Sequence, residues 1–146
     1  MPSITRLVAA LCLAGMAAVL SGMIAPLFDS GFRKAPFFAV NIAIGLMVGW
    51  QVLGPRAGLG WRGALGNGLG GGALVMFWAL FVHAVLLMAR RAMAHWYAGP
   101  SDALIAIFDL MLGFAQVIAR PDILAVFVLG SVLSGLVCAY TKAKWP

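Results

Sequence analysis

Two ionisable residues in apolar surroundings could carry chemistry in this chain: His83 and Asp109. His83 lies in the uncharged stretch between Arg62 and Arg90. An ionisable side chain is costly in such a stretch unless it meets a partner or water. A hydrogen-bonded structural histidine is the favoured interpretation, with proton handling or metal binding as the alternative.

Asp109 belongs to the segment 101–120, and the position of that segment decides its role. If the segment crosses a membrane, Asp109 needs a partner such as His83, Gln116 or Arg120, which would indicate a proton or ion path. If the segment lies at the membrane surface, Asp109 is a hydrated side chain. We favour the hydrated interpretation.

The other candidates for chemistry are single residues. Arg56 follows a Gly-Pro turn and could bind a lipid phosphate or a partner carboxylate. Cys12 and Cys138 could approach each other or meet a thiophilic oxyanion, but small apolar packing is the commoner role of such cysteines. His83 and His95 have no cysteine or glutamate at ligand spacing, so we expect no metal site. Because no nucleophile–base pair or paired carboxylates are visible, we expect neither catalysis nor a cofactor.

The composition defines the class of protein that must position these residues. Of 146 residues, 64% are hydrophobic and 10% are charged, against about 25% charged in ordinary soluble domains. A soluble domain of this size could not bury that much apolar surface. The basic residues stand in ones and twos between apolar runs, so the net charge of +6 indicates membrane lipids and no nucleic acid as partner. We expect one integral membrane domain, 1–146.

Four apolar stretches approach or exceed the roughly 20 residues that a membrane-spanning helix needs. They lie at about 7–28, 35–53, 67–89 and 123–141. The fifth segment, about 101–120, is ambiguous because its polar residues keep to one helical face. It could just cross the membrane, or it could lie in the interface as an amphipathic helix. The polar residues in question are Asp102, Asp109, Gly113, Gln116 and Arg120.

The distribution of charge favours four spans. With four spans, lysines and arginines divide equally between the two sides, so the positive-inside rule gives no orientation. The same arrangement puts all four aspartates on the side away from the termini, whereas five spans would scatter them. The sequence thus predicts an all-α membrane protein with a four-helix transmembrane bundle and one amphipathic interfacial helix, five spans being the alternative. We expect both termini to be cytoplasmic.

Small residues at steps of about four predict the faces on which the helices pack. Helices in lipid associate by close packing, so small side chains mark their contacts. Such rows predict a compact bundle or a homo-oligomer. The predicted packing residues are Ala14, Ala18 and Gly22 in the first span, Gly45 and Gly49 in the second, Gly66 and Gly70 at the start of the third, and Gly130 and Ser134 in the last.

Several elements of the chain resemble the TrgA family of bacterial membrane proteins. The most specific is Trp50 with the following Gly-Pro-Arg-Ala-Gly at 54–58, preceded by the apolar run from Asn41. The dipeptides Phe77-Trp78 and Gly99-Pro100 also match, and the likeness covers nearly the whole chain. The resemblance implies a protein integral to the inner membrane and associated with tellurite resistance. It implies no catalytic residues, and its acidic position in the amphipathic helix corresponds to Asp109.

These observations lead to one expected function and two alternatives. We expect a bacterial inner-membrane protein associated with tellurite resistance, in a structural or supporting role without catalysis. One alternative is a small transporter or exporter that uses Asp109 and His83. The other is an accessory subunit or assembly factor of a larger membrane complex.

Overall fold

The computed structural model describes residues 2–28, 33–58, 60–95 and 97–145, and this part of the chain is helical without a strand. Asp29, one of the four aspartates in the charge argument, lies outside the described residues. The helices are α1 (Pro2–Ile24), followed by a 3₁₀ turn (Ala25–Leu27), α2 (Lys34–Arg56), α3 (Gly60–Met93), α4 (Pro100–Ile118) and α5 (Pro121–Lys144).

All five helices are long and apolar enough to cross a membrane, which makes the chain a multi-pass membrane protein. The largest difference from the expected boundaries concerns α3, which was expected to span 67–89 and extends over Gly60–Met93. Its 34 residues correspond to about 51 Å, well beyond a hydrocarbon core of about 30 Å. Glycine disfavours isolated helices, but here the glycine-rich entry is helical because it packs closely against α5.

α1 and α2 cross in antiparallel directions, and three glycines of α2 lie so close to α1 that a side chain at any of them would have no space. A Cβ atom added at Gly45 would lie 2.8 Å from the Cα atom of Ala14. One added at Gly49 would clash with the backbone of Ala10, and one at Gly54 would clash with Arg6. The backbones therefore approach as closely as small residues permit, which is how helices gain dispersion energy in lipid.

A π-helical stretch, Gly49–Leu53, keeps this contact face continuous along α2. Gly54 donates its N–H to the carbonyl oxygen of Gly49, five residues back instead of four. Gly49 and Gly54 are five residues apart, which in a regular α-helix would turn Gly54 away from α1. The wider π turn takes up the extra residue, so both glycines face α1.

The α3–α5 contact is a second antiparallel crossing built from backbone. Gly68 faces Ser131 and Gly135, while Gly72 faces the Ser131 side chain. The predicted positions Gly66 and Gly70 instead have nothing within 4 Å of an added Cβ atom. The contact face of α3 is therefore rotated away from the predicted row, because the face carrying the second glycine row meets α5.

The other predicted packing residues differ in their surroundings. Ala18 is half-buried, and Gly22 is exposed with the Phe38 ring 3.9 Å from an added Cβ atom. Gly130 lies against the Met16 side chain, where an added Cβ atom would be 2.8 Å from Met16 Cγ. Ser134 is buried, and its hydroxyl donates to the Gly130 carbonyl at 2.7 Å.

The contacts of α5 show the direction in which it runs and which helix ends α4 connects. At one end of the bundle, Arg6 near the start of α1 lies against Gly54, and Lys142 near the end of α5 lies beside Gly58. Because α1 begins and α5 ends there, this end is called the terminal end. α5 therefore starts toward the opposite end of the bundle, which is called the far end. α3 runs antiparallel to α5, so it finishes at the far end too. Short connections join α3 to α4 and α4 to α5, so α4 begins beside the end of α3 and ends beside the start of α5.

Candidate functional site

Three buried or half-buried polar side chains form a hydrogen-bonded chain across α1, α2 and α3. His83 Nε2 lies 2.9 Å from Asn41 Oδ1, and Asn41 Nδ2 donates to Ser21 Oγ at 2.9 Å. The Ser21 hydroxyl in turn donates to the Ala17 carbonyl at 2.7 Å. These bonds tie three helices together at a depth where unpaired polar groups would be costly.

Each side chain of this hydrogen-bonded series donates to the next one in the direction of α1, and this order fixes the role of His83. The Asn41 amide nitrogen is used on Ser21, so its carbonyl oxygen faces His83 and can only accept. His83 must therefore donate from Nε2. The ring of Phe37 lies against the imidazole, with the ring centres 4.8 Å apart. His83 is thus held on one side by a hydrogen bond and on another by an aromatic ring.

A cavity of about 380 Å³ opens beside the hydrogen-bonded side chains of Asn41 and His83, at the far end of the bundle. Its walls come from α1, α2, α3 and α4, and most of the lining is aliphatic or aromatic. Four lining residues are polar: Asn41 and His83, which bond to each other, and the exposed Arg33 and Arg90. The volume lies in the range of about 300–1,000 Å³ that is typical of small-molecule sites.

Helix α4 closes one wall of the cavity through its last two turns. The ring of Phe114 packs edge-on against Phe28 of the loop after α1, with ring centres 6.0 Å apart. Ile118 is buried, and both residues line the cavity. These contacts hold the carboxyl end of α4 against the far end of the bundle.

The structure does not bring Asp109 to His83. Asp109 and Gln116 are exposed, and they lie on the face of α4 that points away from the bundle. Arg120 lies 3.5 Å from Asp122, and both are exposed. A third face of α4 is apolar and at least 59% exposed at each position. That face consists of Leu104, Ile105, Phe108 and Leu112.

Arg56 and the two cysteines lie away from the cavity. The Arg56 carbonyl accepts a 2.8 Å hydrogen bond from Asn67 Nδ2, which joins the end of α2 to α3, while the residue is exposed. Cys138 is fully buried on α5, and Cys12 is half-buried on α1; both thiols are free. Cys138 is part of the apolar core, a packing environment.

Sequence reasoning did not find the partners of His83 or the two arginines of the cavity. The amide of Asn41 within an apolar span was the available signal for a buried hydrogen bond. The four-span arrangement puts Arg33 and Arg90 on the same side of the membrane. Their convergence on one cavity depends on the rotation of α2 and α3, which spacing alone does not give.

No protein-family model, curated protein or solved structure matches this chain. The fold and the cavity define the class as an all-α, multi-pass membrane protein. The resemblance to the TrgA family stays a prediction.

Proposed function

We propose that this chain is a supporting, non-catalytic protein of the bacterial inner membrane that contributes to tellurite resistance, as its resemblance to the TrgA family implies. Its termini face the cytoplasm and α4 lies at the opposite surface of the membrane. Its partners are membrane lipids, with a second copy or a larger membrane complex as the alternative.

The observation that carries this proposal is the separation of His83 from Asp109. A transport path through the bundle needs polar groups that converge near the membrane centre. Here His83 is engaged with Asn41, and Asp109 lies on the outer face of α4. The geometry therefore favours a structural role for His83 and a hydrated position for Asp109 over a path that joins them.

The position of α4 supports its placement at the membrane surface. It connects the end of α3 to the start of α5, and its exposed surface divides into the polar face with Asp109 and the apolar face with Phe108. A helix that lies in the interface needs this division, because one side meets water and the other meets lipid.

Tellurite tolerance of a deletion strain tests the proposal. We expect deletion to lower tolerance, and we expect Asp109→Asn to restore it as fully as the wild-type chain, because a hydrated carboxylate outside the bundle is dispensable. Asp102→Asn is the matched control, since it makes the same change on the same exposed face. The readout is growth at graded tellurite concentrations with protein levels checked by immunoblot.

Two outcomes would contradict the proposal. Unchanged tolerance after deletion would remove the link to tellurite. Loss of tolerance in Asp109→Asn alone, at normal protein level, would favour the exporter alternative. Proton or ion transport would depend on the Asp109 carboxylate, whereas a hydrated surface carboxylate is dispensable.

A further inference from the structure

We propose that the cavity at the far end binds one anionic phospholipid, with an acyl chain in its apolar interior and the phosphate at Arg33 and Arg90. This inference goes beyond the supporting role, because it assigns a specific ligand to a defined site.

The shape of the cavity suits a hydrocarbon chain that enters from the membrane surface. One face of α3 lines it from Met76 to Arg90, which are 14 residues apart. At a rise of about 1.5 Å per residue, this face is about 21 Å long, somewhat more than one leaflet of a hydrocarbon core about 30 Å thick. Leu86 lines the cavity and is 45% exposed, so the site is accessible from the surrounding lipid.

The polar groups of the cavity are arranged for an amphiphile with its charged end outward. Asn41 and His83 lie deeper and already bond to each other. Arg33 precedes α2 and Arg90 belongs to the last turns of α3, and both are exposed. Within the described residues, neither arginine forms an ion pair. Two guanidinium groups at headgroup level complement a phosphate, which accepts their hydrogen bonds.

The charges around the site favour an anion over a zwitterion. The described aspartates of α4 and α5 do not line the cavity: Asp109 is on the outer face of α4, and Asp122 lies beside Arg120. Among the described residues, the charged side chains that line the cavity are therefore both positive. A phospholipid with a net negative headgroup gains from both arginines, whereas the choline of a zwitterionic lipid would be repelled.

Native mass spectrometry of the purified protein in mild detergent tests the site. The protein is mixed with dioleoyl phosphatidylglycerol or with dioleoyl phosphatidylcholine, and retained lipid is counted. We expect one retained phosphatidylglycerol per chain. The double variant Arg33→Gln/Arg90→Gln should retain it roughly twenty-fivefold more weakly, because each arginine near an anionic lipid contributes about fivefold. Arg56→Gln/Arg62→Gln, two exposed arginines away from the cavity, should retain it normally.

A second pair of variants tests the acyl-chain part of the site separately. Ala79→Phe fills the cavity, whereas Ala73→Phe makes the same change at an exposed position of α3. We expect only Ala79→Phe to lose the lipid, with both variants unfolding at the wild-type temperature. Equal retention of the two lipids, equal loss in both arginine pairs, or normal retention by Ala79→Phe would overturn the proposal. Release of the lipid by inorganic phosphate alone would also overturn it, since the site would then bind the anion and not the chain.

Discussion

Replacing Gly49 by leucine should lower the free energy of unfolding by ~3 kcal/mol, because the added side chain has no space at the α1–α2 crossing. The atoms it would meet are the carbonyl oxygen of Ala9 and the Cα atom of Ala10. Both belong to backbone, which cannot turn aside as a flexible side chain could. The helices would have to separate, and the contacts on either side, including those of Gly45, would be lost with them. Unfolding by sodium dodecyl sulfate in mixed micelles measures this loss.

Gly15→Leu is the matched control for this prediction. Gly15 lies in α1, one of the two helices of the same crossing, but it is exposed and an added Cβ atom there has nothing within 4 Å. Leucine is a better helix former than glycine, so we expect the free energy of unfolding to stay the same or rise by up to about 1 kcal/mol. Equal destabilisation by Gly15→Leu and Gly49→Leu would show that the effect does not come from the crossing.

Gly68→Leu should destabilise the α3–α5 crossing by a similar ~3 kcal/mol. An added Cβ atom at Gly68 would clash with the Ser131 carbonyl and lie 3.0 Å from the Cα atom of Gly135. Because α5 is held to the bundle largely by this contact and by its contact with α1, the variant should also expose α5 to protease. The measurements are the same unfolding titration and the rate of proteolysis in detergent.

Gly70→Leu tests whether the face of α3, and not the loss of a glycine, is responsible. Gly70 is two residues away in the same glycine-rich stretch of α3, and it faces open space. We expect Gly70→Leu to be neutral or slightly stabilising. If Gly70→Leu were the more damaging of the two, the rotation of α3 described above would be wrong.

The sequence was sufficient to predict the helical membrane fold. The apolar runs are long, and their ends carry charges, glycines or prolines, so the number of helices follows from composition and length. The start of α3 could not be placed in the same way. Glycine within 63–72 lowers helix propensity, and only the close approach of Gly68 to α5 explains why this stretch is helical.

The contact face of α3 was ambiguous for a related reason. Gly66 and Gly70 form one row at a step of four, while Gly68 and Gly72 form another. Both rows have the composition of a close contact, and spacing cannot say which row meets a neighbouring helix. The answer depends on the position of Ser131 and Gly135 on α5, which is a property of the assembled bundle.

The candidate site was predictable in part, from the cost of polar groups within apolar spans. That cost correctly marks His83 as a residue that needs a partner, but Asn41 and Ser21 are reached only when α1, α2 and α3 are assembled. The polar stripe of α4 was visible as a helical pattern. The separation of Asp109 from His83 arises because α4 turns its other face, with Phe114 and Ile118, toward the cavity, and the pattern alone does not give this rotation.

The central claim, that α4 lies at the membrane surface and does not cross, is tested most directly by cysteine labelling. The measurement shows from which side of the membrane the residues before and after α4 can be reached. Single cysteines at Ala98 and Ala119, in a chain with Cys12→Ala and Cys138→Ala, are exposed to a membrane-impermeant maleimide in right-side-out and inside-out vesicles. A cysteine at Ala143, near the end of α5, reports the terminal end. Four crossings with α4 at the surface predict that Ala98→Cys and Ala119→Cys are labelled from one side and Ala143→Cys from the other. Labelling of Ala98→Cys and Ala119→Cys from opposite sides would show that α4 crosses the membrane, and would contradict this account.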